Sequence, residues 1–254
     1  MKKLILNGLY IVRQLLDPFF RFRERAILCF HSISDAPLDT AVPIAAFKSH
    51  LAMLKRKGYA FVSLADIVSI LDGNSRDALP QKAVALTFDD GYADFKTAAL
   101  PILEEQGIPA TLFVVGDGTT YARGLQADIA MLAKSDVVKL AGHPLVETGW
   151  HTATHPNLAR CDADTIRHEV TPPAPMRFFA YPGGNYSDSA IESVKQAGFT
   201  AAFSIKRDLV VRGKSRWLLP RIVVLRSDTE HDVVRYVSMA QRWYRMVRYR
   251  ILSL

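Results

Sequence analysis

Short apolar runs alternate with amphipathic stretches along most of this 254-residue chain. AILCF (26–30), AVALTF (83–88), ATLFVV (110–115), RFFAY (177–181), TAAFSI (200–205) and RIVVL (221–225) predict buried strands, being short, apolar and rich in β-branched and aromatic residues. Between the first two, AAFKSHLAMLKRKGY puts Phe47, Leu51 and Leu54 on one helical face, with Gly58 placed to end it. SLADIVSIL (63–71) predicts a second helix with Ser63 as its cap. A third follows Gly91 and runs to about Gln106, stopped by Gly107 and Pro109 and kinked by Pro101. A fourth spans Ser187 to Ala197, while the region from 116 to about 148 reads as irregular.

Strands separated by helical segments imply parallel βα units, hence a barrel or a doubly wound sheet in one α/β domain. Folds of this class collect reactive groups where strands end and loops begin. Asp89-Asp90, His31 and the Pro182-Gly183-Gly184 turn all fall just after predicted strands.

The two ends depart from this pattern. In residues 1–25, Ile5, Leu9, Val12, Leu16 and Phe19 recur at helical spacing, which predicts an amphipathic segment. Asn7, Gly8, Arg13 and Asp17 interrupt it well short of the roughly 20 apolar residues a membrane span needs. No small-x-small site follows, so no cleavable signal peptide is expected, and the expected location is cytoplasmic or peripheral to a membrane. The segment either packs on the domain or lies in a membrane interface. Residues 231–254 predict a basic amphipathic helix in which Trp243, Tyr244 and Tyr249 interleave with five arginines. Each such charge near an anionic leaflet adds about 1 kcal/mol.

Composition narrows the partners. Lys and Arg exceed Asp and Glu by 32 to 25, giving +7, which favours anionic partners such as nucleic acid, a membrane surface or an acidic glycan. No nucleic-acid-binding module is recognisable, and nucleic acid is not expected. Cys29 and Cys161 form no CxxC and are expected as free thiols.

LTFDDGYADF (86–95) sets two carboxylates side by side after an apolar run. Asp-Asp-Gly is also ordinary turn and capping chemistry, and the decapeptide alone leaves both readings open. GWHTATHPNL (149–158) adds His151 and His155, four residues apart, with Pro156 disfavouring a regular helix through them. Two imidazoles and one carboxylate make a three-ligand metal site with open positions. One aspartate is then left over to take a proton, and the ion's charge offsets the crowding of the pair.

These motifs resemble the polysaccharide deacetylases of carbohydrate esterase family 4. TFDDGY (87–92) is similar to the first family motif, HTATH (151–155) to the second and FAYPGGNY (179–186) to the third. LCFHSI (28–33) resembles the amino-terminal segment of the biofilm-polysaccharide deacetylase branch, and the likeness covers roughly residues 26–226. The resemblance implies a distorted (β/α) barrel over 26–230 and metal-dependent removal of N-acetyl groups from amino sugars of a polysaccharide or lipid-linked glycan. It implies Asp90, His151 and His155 as ligands of a divalent metal, zinc foremost, and Asp89 as general base. His31 would be the general acid, with Pro182, Gly183 and Tyr181 at the oxyanion and substrate. The family's arginine two residues before the motif's proline is absent, Ala180 standing there, which leaves the orientation of Asp89 open. The alternatives are a catalytically inactive carbohydrate-binding protein of the same fold and, less favoured, a basic nucleic-acid binder.

Overall fold

The computed structural model describes residues 23–72, 79–117 and 129–238. The segment through residue 22 and the basic stretch beyond 238, expected as amphipathic units, lie outside the described residues. Eight strands form one parallel sheet: β1 (Glu24–Phe30), β2 (Ala60–Phe61), β3 (Lys82–Phe88), β4 (Ala110–Val114), β5 (Val146–Trp150), β6 (Phe178–Ala180), β7 (Ala201–Phe203) and β8 (Ile222–Val223). The order is β7-β6-β5-β4-β3-β1-β8, with β2 paired to β3 off that path. The sheet curls until its ends meet through one strand: Leu219 bridges Phe203 of β7, and Ile222 pairs with Leu28 of β1. The seam of this distorted (β/α) barrel therefore lies at Pro220-Arg221, where the chain changes partners.

Side chains alternate across each strand and split the core in two. Leu28, Phe30, Val84, Leu86 and Phe88 pack outward with Phe47, Leu51 and Leu54 of α1 (Ile44–Arg56). Ile27, Ala83 and Ala85 face the other way, with Phe113, Phe178, Ala180 and Phe203. The small inward alanines leave room for the phenylalanine rings, whose centroids stand 5.6 and 5.7 Å from Phe203.

The remaining helices are α2 (Leu64–Ser69), α3 (Leu100–Gln106), α4 (Lys134–Ala141), α5 (Ala163–Glu169), α6 (Asp188–Gln196) and α7 (Glu230–Tyr236). Ser63 caps α2 in a reciprocal capping box with Asp66. The kink expected at Pro101 takes the form of a π-turn over Phe95–Ala99, in which the Leu100 N–H reaches back to the Phe95 carbonyl. Proline has no N–H to continue an α ladder, and the wider turn absorbs the mismatch.

The stretch expected to be irregular up to 148 instead holds α4 and β5. β5 reads VETGW, and its half-buried Glu147 and Thr148 obscure the apolar signature of a strand. Gly149 belongs there because a Cβ would lie 2.5 Å from the Phe113 ring. Among the described residues, no helix is long and apolar enough to cross a membrane.

Candidate metal centre

The carboxyl ends of β1, β3, β5, β6 and β7 deliver His31, Asp89-Asp90, His151, Gly183 and Ile205 to one cavity of about 350 Å³. β3 ends at Phe88, and the Asp89 N–H still donates to the Phe30 carbonyl of neighbouring β1, which fixes where the two carboxylates emerge. Both are 2% exposed.

Among the described residues, the non-glycine residues with positive φ are Asp90 (75°), Thr152 (71°) and His155 (63°). Left-handed backbone costs a side-chain-bearing residue of order 1–3 kcal/mol and persists only where the surroundings impose it. Two of the three are expected metal ligands, and the third lies between His151 and His155. Gly116 closes in on the same loop: its N–H donates to the Thr152 carbonyl, and a Cβ there would lie 2.6 Å from the Trp150 ring.

The geometry of Asp90, His151 and His155 fits a divalent ion. Asp90 Oδ1 lies 3.4 Å from His151 Nε2 and 3.5 Å from His155 Nε2. Three donors arranged tetrahedrally at zinc distances are about 3.3–3.4 Å apart. His151 Nδ1 donates to the Ala180 carbonyl at 2.7 Å, which fixes the ring and turns Nε2 toward Asp90. Charge agrees with geometry. Burial pushes the Asp90 carboxyl up, but the hydrogen bond from His151 and the charges of His31, His151 and His155 outweigh it and hold the group far below the usual range. Burial pushes His151 down, yet Asp89 and Asp90 raise it above its ordinary value. Burial and the neighbouring His151 push His155 down to about 4. The two carboxylates thus favour positive charge at the point the three side chains share.

A second trio, Cys29, His31 and Asp89, also gathers its donor atoms within 4.8 Å of one another. It does not fit an ion, because Asp89 already faces a cation. Arg221 at the barrel seam donates from Nη1 to Oδ1 at 2.6 Å and from Nη2 to Oδ2 at 2.7 Å. The Cys29 thiol adds a 3.4 Å contact to Oδ2. Burial raises the Asp89 carboxyl, while the Arg221 guanidinium beside it and then His151 bring it below its usual value. Arg221 is fully buried, also donates to Thr87 Oγ1 and the Ser204 carbonyl, and lies over the Phe113 ring.

His31 lines the same cavity, with a buried Nδ1 that has no hydrogen-bond partner among the described residues. Asp94 holds the segment that follows it, accepting from Ser32 Oγ at 2.5 Å and the Ile33 N–H at 3.1 Å. Gly183 reaches the cavity, whereas Tyr181 and Pro182, expected beside the substrate, are not among its lining residues. Alternation along β6 sends Tyr181 outward with Phe179, and its ring packs between Phe179 and Tyr186. Arg221, Asp94 and Cys29 are the site residues the motifs did not point to. The missing arginine at 180 was a usable signal for the first, since a buried Asp89 needs a cationic partner from another strand end.

The chain matches the family model described as polysaccharide deacetylase over residues 76–202, half of its length. It is 24% identical over 265 aligned residues to poly-beta-1,6-N-acetyl-D-glucosamine N-deacetylase of Escherichia coli K12, covering 84% of this chain but 38% of that protein. It is 23% identical to the enzyme of the same name from Staphylococcus aureus MRSA252, covering 82% of this chain and 76% of that one. Among solved structures, the Streptococcus pyogenes deacetylase PplD in complex with acetate superposes with a TM-score of 0.69 at 23% identity, covering 84% of this chain and 98% of that one. The fold, the ordered motifs and the family match agree, and the chain belongs to the polysaccharide deacetylase family of metal-dependent hydrolases.

Proposed function

We propose that this chain removes N-acetyl groups from amino sugars, with Asp90, His151 and His155 holding zinc, Asp89 as general base and His31 as general acid. The observation that carries this reading is the pair of adjacent buried carboxylates with different partners, Asp90 against two imidazoles and Asp89 against Arg221. Two nitrogen donors and one carboxylate suit zinc. Bound there, the ion would polarise the acetyl carbonyl and lower the pKa of a water from about 15.7 towards 7.

The chain's own groups do the rest. Arg221 keeps Asp89 ionised and unable to rotate, so the carboxylate takes up a proton without reorganising. Asp94 holds the loop that carries His31, which faces the cavity and donates a proton to the departing nitrogen. The Gly183 N–H, next to the buried Pro182, is the assigned donor to the developing oxyanion.

The names of the relatives favour a β-1,6-linked N-acetylglucosamine polymer, with a lipid-linked glycan of the same sugar behind it. Peripheral membrane attachment through the basic, apolar termini belongs to the same proposal and rests on composition. The test is acetate release from β-1,6-linked N-acetylglucosamine oligomers by protein stripped of metal and then reloaded with zinc. Release that returns with zinc supports the reading. Release that ignores zinc, or none from these or chitin-type oligomers, rejects it.

A further inference from the structure

We propose that Glu169, the last residue of α5, is a positioning residue that holds the histidine-bearing loop in its ligating shape. This inference rests on the metal site argued above.

Glu169 is 3% exposed and turns its carboxylate toward the loop, away from water. Oε2 accepts the Thr154 N–H at 2.8 Å, and Oε1 accepts the Thr154 hydroxyl at 2.7 Å. Its backbone carbonyl accepts the Ala153 N–H at 3.1 Å and the Trp150 indole N–H at 2.9 Å. One residue thus reaches positions 150, 153 and 154. On the other side of the loop, the Gly116 and Asp117 N–H groups donate to the carbonyls of Thr152 and Ala153. Between these two sets of bonds lie the left-handed residues Thr152 and His155.

A buried carboxylate is costly unless it is hydrogen-bonded, and here each oxygen has a donor. What those bonds secure differs for the two histidines. His151 has its own anchors: its N–H donates to the Val114 carbonyl, and its Nδ1 to the Ala180 carbonyl. His155 is also tied into the loop itself, its N–H donating to Thr152 Oγ1 at 2.9 Å. Releasing Thr154 from Glu169 lets the left-handed stretch relax and draws His155 away from Asp90, while His151 stays in place.

The test compares cobalt and zinc affinity, by competition with a chromophoric chelator, and the visible spectrum of the cobalt form, in wild type, Glu169→Ala, Glu169→Gln and Thr154→Val. Removing a group that orients a ligand typically weakens metal binding about 10–100-fold. That loss, with an altered cobalt spectrum, is expected for Glu169→Ala. Glutamine keeps one acceptor for the Thr154 N–H, and its amide donates to a rotated Thr154 hydroxyl, so Glu169→Gln is expected to restore affinity and spectrum. Thr154→Val, which loses one of the two bonds, is expected to fall between Glu169→Ala and wild type.

Wild-type affinity and spectrum in Glu169→Ala, even with a lowered Tm, would overturn the proposal and leave Glu169 a purely structural residue. Should Glu169→Ala fail to fold, the other two variants decide: unchanged metal binding in Thr154→Val, or loss in Glu169→Gln, also overturns it. A wild-type protein that takes up no cobalt would instead sink the metal reading on which this one stands.

Discussion

Asp89 and Asp90 are chain neighbours, equally buried, and each belongs to a trio of potential ligands. Neither spacing nor burial separates Cys29–His31–Asp89 from Asp90–His151–His155. The countercharge does. Asp89 is matched by a guanidinium that never gives up its proton, a permanent countercharge that occupies both carboxylate oxygens. Asp90 is matched by imidazoles that can exchange a proton for a metal ion. Two adjacent carboxylates are thus relieved of their repulsion by different means, and that difference supports the roles proposed for them: proton acceptor for Asp89, metal ligand for Asp90.

The most direct way to break this comparison is to neutralise each carboxylate in turn without changing its shape. Asp90→Asn should abolish stoichiometric zinc, read by metal analysis after dialysis, and reduce acetate release to background. Asp89→Asn should keep zinc while turnover falls about 10²–10⁴-fold, the usual contribution of a general base. If both variants keep the metal, or both lose it, the two trios are not distinct.

The Arg221 pair gives a sharper reading through stability. Arg221→Met leaves the Asp89 charge buried without its partner, which costs about 3–5 kcal/mol. For a chain of this size each kcal/mol moves Tm by about 2–4 °C, so a drop of about 6–20 °C is expected in a thermal melt. Adding Asp89→Asn to Arg221→Met removes the stranded charge and should recover much of that loss while activity stays low. A single variant as stable as wild type would show that Arg221 is not the countercharge.

Legibility in the sequence followed distance along the chain. The Asp-Asp-Gly turn and HTATH are local patterns at the ends of apolar runs; they give two histidines and a choice of two aspartates, and the family resemblance names Asp90 as the proposed ligand. Arg221 lies 132 residues from Asp89 and opens a run, RIVVL, that reads as an ordinary strand. Its meaning depends on the barrel seam, which no local pattern reports. Tyr181 is the opposite case. The motif drew attention to it, while the two-residue period of FFAY already put it on the face of Phe179, away from Ala180. β5 is hidden because VETGW carries two half-buried polar residues, Glu147 and Thr148, beside a glycine that the Phe113 ring demands.

The smallest expected effect isolates the imidazoles of the two trios from one that belongs to neither. His50 of α1 is buried, with Nε2 facing the Asp228 carbonyl at 3.0 Å and Nδ1 lacking a partner among the described residues. Burial holds it below its ordinary value, against the weaker upward pull of the Asp228 carbonyl and of Asp228, Glu230 and Asp232. The unfolded chain takes up this proton near pH 6.5, the folded chain only at lower pH. The His50 contribution is therefore complete above about pH 6.5 and is lost as the pH falls through the folded value. His155, pushed down to about 4, has the same sign in metal-free protein, so the melts belong in excess zinc, which keeps it deprotonated. Between about pH 7.5 and about pH 5.5, the Tm of wild type should fall relative to that of His50→Gln, which carries no titrating ring. A gap that does not change with pH would assign the acid sensitivity to the trios themselves, and the contrast between them would then have to be read from His151.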